Sequence, residues 1–68
     1  MVTTTNETTI TSPARTTLLT FRVHSSDSVE IICCTWKGRE TVTYTDRWLP
    51  EPEAVDFRAR LIHQGWTE

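Results

Sequence analysis

At 68 residues and 7.9 kDa the chain has room for one small domain, and its core is too small to spare many residues for a deep catalytic pocket. Seven Lys and Arg stand against nine Asp and Glu, a net charge of −2, so no strong electrostatic pull toward nucleic acid or anionic membrane follows. Hydrophobic residues at 37% suffice for a folded chain, and 14 Thr among 68 residues favour strands and one disordered end.

Residues 1–15 carry six Thr, Ser12 and Pro13, with Val2 and Ile10 as the large aliphatics beside Met1. Nothing there repeats with period 2 or 3.6, so the segment reads as a flexible N-terminal tail. Its first residues have neither the basic stretch nor the apolar run of a secretory signal, and the chain is expected to be cytoplasmic. No apolar run approaches the roughly 20 residues of a membrane-spanning helix.

Residues 16–68 read as a single domain. From Thr16 to His24 the residues alternate, with Leu19, Phe21 and Val23 on one face of a first strand. Ser25-Ser26-Asp27-Ser28 has turn chemistry, because short polar side chains bond to the local backbone. Val29–Trp36 is β-branched and apolar on both faces, as a central strand is. Lys37-Gly38-Arg39 is a tight turn, and Glu40–Asp46 alternates again as a third strand.

The period then changes. Leu49-Pro50-Glu51-Pro52-Glu53 is a helix start, since proline is tolerated where amide donors are unpaired. Ala54, Phe57, Leu61 and, flanking them, the Arg58 stem and Ile62 make an inward stripe over a helix of residues 51–64. Asp56 and Arg60 form an i,i+4 pair, and Gly65 is the expected stop, with Trp66 folding back. The expected fold class is α+β: a three-stranded antiparallel β-meander packed on one face by a single C-terminal helix, β-β-β-α.

A three-residue loop Ser25–Asp27 pairs Val23 with Val29, Phe21 with Ile31 and Leu19 with Cys33, and sets Arg22 opposite Glu30. A four-residue loop would reverse that parity. In the preferred register the helix covers these apolar residues together with Val42 and Tyr44. Ile32, Cys34 and Trp36 are then left on the opposite face. Trp48 is expected to close one end of the core and Trp66 the other.

Chemistry-bearing patterns are few. Cys33-Cys34 is neither a C-x-x-C redox pair nor half of a zinc frame, and adjacent strand residues point to opposite faces, so both read as structural thiols. His24 and His63 match no metal-ligand spacing, and no metal or cofactor is expected. Glu51, Glu53 and Asp56 sit on a solvated helix start rather than in an apolar cleft, and the chain is expected not to be an enzyme.

In layout, three strands and a helix resemble sheet-face DNA readers such as the arm-binding domains of tyrosine integrases, although no motif of theirs is matched. That likeness implies DNA or RNA binding by the sheet as the alternative function. The leading expectation is a non-enzymatic module that binds a protein partner through its open sheet face, as regulator, inhibitor or adaptor, or pairs with a second copy of itself. The partner-binding residues are Arg22, Ile32, Cys34, Trp36, Lys37 and Arg39.

Overall fold

The computed structural model describes residues 6–68. Five elements follow along the chain: β1 (Asn6–Thr11), β2 (Thr17–Ser25), β3 (Ser28–Lys37), β4 (Glu40–Leu49) and α1 (Glu51–His63). The strands form one antiparallel sheet in the order β1-β2-β3-β4, and α1 packs on one side of it. The α+β class and the C-terminal helix stand, but the sheet has four strands rather than three. Residues 6–11, expected to belong to a flexible tail, form the additional strand; residues 1–5 of that segment lie outside the described residues.

One side chain explains why β1 joins the sheet. Ile10 pairs with Leu19 and is 0% exposed, beneath the helix side of the sheet. Burying an aliphatic side chain of that size contributes about 1.5–3 kcal/mol. Ser12 then builds the connection to β2. Its hydroxyl accepts from the amides of Thr16 and Thr17, both at 3.1 Å, and its carbonyl accepts from the Arg15 amide at 2.9 Å. Arg15 takes a left-handed φ of 60° to close the turn.

The β2–β3 register is the expected one, reached by a different route. Val23 pairs with Val29, Phe21 with Ile31, Leu19 with Cys33 and Arg22 with Glu30. The turn itself has two residues, Ser26 and Asp27, because Ser25 pairs with Ser28. The odd residue expected in the loop is His24, bulged out of β2 instead. A loop residue and a bulge residue shift the register equally, so the parity is the same.

The third predicted strand is β4, and it runs on to Leu49, past the expected end at Asp46. Cys33 pairs with Tyr44 and Ile32 with Thr45, but Ile31 pairs with Arg47, so Asp46 is bulged. The bulge returns Leu49 to the helix side opposite Val29, where it packs on the core.

The helix is tied at both ends. The Glu51 amide donates to the Ser26 carbonyl at 2.9 Å, which satisfies the first helical donor, and Pro52 has none to satisfy. At the other end Gly65, with φ of 105°, donates to Ile62 and Trp66 donates to Leu61, both at 3.0 Å. This is a Schellman stop with its hydrophobic partner, Trp66, packed on the core. A Cβ at Gly65 would come within 3.3 Å of Pro13, so the position is doubly reserved for glycine. Beyond the stop, Thr67 and Thr11 exchange two backbone hydrogen bonds of 2.7 and 3.0 Å along the outer edge of β1.

Ile10, Leu19, Phe21, Val29, Ile31, Cys33 and Ala54 make the core, with Phe57 and Leu61 packed against it from the helix. The Phe21 and Phe57 rings meet at 6.0 Å, and the Arg47 guanidinium lies 4.9 Å above Phe57. Two expected positions are corrected. The helix does not reach Tyr44, which is 47% exposed. Trp48 does not close the core: it pairs with Glu30 on the side away from the helix and is 53% exposed.

Candidate functional site

The sheet face opposite the helix is a consequence of the period-2 pattern in β2, β3 and β4. Helix-side positions carry the core, so their neighbours Leu18, Arg22, Glu30, Ile32, Cys34 and Trp36 project the other way. No described element covers them. The face divides into a polar half and an apolar half.

The polar half lies near the β2–β3 turn and centres on Glu30, a half-buried carboxylate. The Thr45 hydroxyl donates to its Oε2 at 2.6 Å, His24 Nε2 lies 3.0 Å from its Oε1, and Arg22 Nη1 lies 3.9 Å away. Hydrogen bonding by Thr45, then by His24, holds this carboxyl below its ordinary range against the opposing effect of burial, with a lesser contribution from the charge of Arg22. Arg22 is shared with Glu7 of β1 at 3.4 Å. The His24 ring, bulged from β2, packs against Trp48 with centroids 5.0 Å apart and the rings tilted by 44°.

The apolar half lies toward the β3–β4 turn. Leu18 is opposite Cys34, and Ile32 and Trp36 flank Cys34 on the same strand. Ile32 and Cys34 are half-buried, whereas Leu18 is 40% and Trp36 59% exposed. Thr41, Thr43 and Thr45 of β4 lie beside Trp36, Cys34 and Ile32 as a row of small side chains. Lys37 and Arg39 are exposed at the rim, and neither enters an ion pair among the described residues.

The six residues singled out in the sequence thus fall in two groups. Ile32, Cys34 and Trp36 form one apolar line; Arg39 lies in the adjoining β3–β4 turn, and Lys37, of the same parity as Cys33, projects toward the helix side. Arg22 is separated from them, engaged by two carboxylates in the polar half. Leu18 and Trp48 were not singled out, though both add exposed apolar surface to this face. Leu18 was legible from its parity in β2; Trp48 was not, because its outward position depends on the Asp46 bulge.

No group of three or more His, Cys, Asp or Glu side chains could hold a metal ion among the described residues. Cys33 and Cys34 are both free thiols, buried and half-buried. Among the described residues no helix is long and apolar enough to cross a membrane. Comparison of the chain with protein-family models, curated proteins and solved structures gave no match.

Proposed function

We propose that this protein is a small non-enzymatic binding module whose ligand is another protein, held on the open sheet face. The observation that carries the reading is the apolar line Ile32–Cys34–Trp36, widened by Leu18, on a face that no described element covers. A large aromatic exposed by more than half, ringed by small and polar side chains, has the composition of an interface anchor. Lys37 and Arg39 at the rim would set orientation and encounter rate more than affinity. A regulator, inhibitor or adaptor acts in this way, by occupying a surface rather than by turning over a substrate.

Charge favours protein over nucleic acid as the partner. Phosphate contacts require unneutralised Lys and Arg, whereas the one arginine in the middle of the face, Arg22, lies beside Glu7 and Glu30. Beyond it this end of the sheet offers Arg39 in the turn and Lys37 directed to the other side, in a chain of net charge −2.

The test compares three immobilised baits: wild type, Trp36→Ala and, as a control for exposed apolar surface on the helix, Val55→Ala. The expected result is a discrete protein retained by wild type and Val55→Ala and lost from Trp36→Ala. Equal retention by all three would overturn the reading. So would salt-sensitive binding of short DNA or RNA by the wild type with no protein retained, which is the signature of the nucleic-acid alternative.

A further inference from the structure

The two edges of the sheet differ in how they are finished. At β1, Thr67 pairs with Thr11 and occupies part of the free edge. At β4 no described element pairs with the outer edge, and that strand is ten residues long. Natural edges are blunted by charges, proline, brevity or bulges. Here the bulge at Asp46 lies beyond an uninterrupted, uncharged run, Thr41-Val42-Thr43-Tyr44-Thr45. We infer that β4 is a self-pairing edge, and that two copies of this chain join antiparallel through it, about a two-fold axis at Thr43, into a continuous eight-stranded sheet.

The hydrogen-bond geometry selects that axis. Gly38 at φ 65° and Arg39 without a positive φ give the pattern of a type II′ hairpin, closed by a hydrogen-bonded pair of Lys37 and Glu40. Antiparallel pairs alternate, so Val42 with Thr35 and Tyr44 with Cys33 bond inward across the ladder. The outward backbone groups therefore belong to Thr41, Thr43 and Thr45. These three are symmetric about Thr43. Two-fold pairing sets Thr43 against Thr43 and Thr41 against Thr45 of the second copy, and each pair exchanges two hydrogen bonds.

Side chains agree with this register. The run reads nearly the same in both directions from Thr43. On the helix side Val42 meets Tyr44 of the second copy, an aromatic against a β-branched side chain, which is a favourable cross-strand pair. Both residues are left uncovered by the helix: Tyr44 is 47% exposed and Val42 half-buried. At the ends the register sets Glu40 against Asp46 of the second copy, an unfavourable like-charge pair that Arg47, 2.7 Å from Asp46, partly neutralises. The threonine rows join on the open face, with one apolar line on either side of them. The pairing uses the backbone edge of β4 rather than the apolar line of the open face, and does not rest on the proposed binding function.

Sedimentation equilibrium of the reduced full chain tests it, with Thr43→Lys and, as a charge control at the exposed β2–β3 turn, Ser26→Lys. Thr43→Lys sets two ammonium groups opposite each other at the axis, while in a monomer its side chain points to solvent. The expected result is twice the 7.9 kDa chain mass for wild type and Ser26→Lys, and the chain mass alone for a folded Thr43→Lys. If Thr43→Lys loses its circular dichroism, Thr43→Pro replaces it, since it removes only an outward amide. Wild type that is monomeric at all concentrations, or a dimer that survives these Thr43 substitutions, would overturn the inference.

Discussion

Ile10 of β1 and Leu19 of β2 face each other under the helix side of the sheet, and together they bring the first strand into the core. The N-terminal segment therefore contributes to stability. Ile10→Ala should cost about 2–4 kcal/mol, through lost burial and the cavity left behind. Removal of residues 1–14 should cost at least as much, because it deletes β1 and the Ser12 turn. Urea unfolding followed by tryptophan fluorescence checks both. A variant as stable as wild type would mean that β1 is not part of the cooperative unit.

Glu30 gives a pH dependence of known sign. Its carboxyl is held below the ordinary 4.5 by the Thr45 hydroxyl first, then by His24 and Arg22. A carboxyl lowered in the folded state binds its proton more readily in the unfolded chain. Its contribution is thus fully present above 4.5 and is lost as pH falls through the lowered folded value. Thermal midpoints measured from pH 6 downward should fall less steeply below 4.5 in Glu30→Gln than in wild type. Parallel curves would show that the cluster is not coupled to folding.

The adjacent cysteines should behave differently. Cys33 is buried between Leu19 and Tyr44, whereas Cys34 is half-buried on the open face beside Leu18. Under native conditions a maleimide should label Cys34 well before Cys33, and urea should equalise the two rates. Cys33→Ala should destabilise by about 1 kcal/mol or more. Cys34→Ala should cost less.

Much of the sheet was legible because β2 and β4 alternate and β3 does not. Leu19, Phe21 and Val23 could sit on one face only, and Arg22 opposite Glu30 selected between the two hairpin parities. The helix showed itself in Pro52, the Ala54–Phe57–Leu61 spacing and Gly65. β1 was hidden because one large aliphatic, Ile10, does not make a period. Its threonines suit a strand only once a neighbour is present, and the clue that could have found it was Ser12-Pro13 as turn chemistry. The Asp46 bulge left no local mark, so the outward position of Trp48 and the reach of β4 to Leu49 could not be read. On the open face, parity alone placed Ile32, Cys34 and Trp36. The second carboxylate beside Arg22 could not be read, because Glu7 lay in the supposed tail.

The direct test of a covered face and an open one is a paired substitution in β3. Ile31 is 0% exposed under the helix and Trp36 is 59% exposed on the opposite side. Ile31→Ala should lower stability by about 2–4 kcal/mol. Trp36→Ala should cost less than about 1 kcal/mol of folding while weakening capture of the protein partner by about 2 kcal/mol, some thirtyfold. Denaturant unfolding and titration of the captured partner on the same two variants decide it. Trp36→Ala that unfolds the chain while Ile31→Ala spares it, or Trp36→Ala that binds as wild type, would contradict the account.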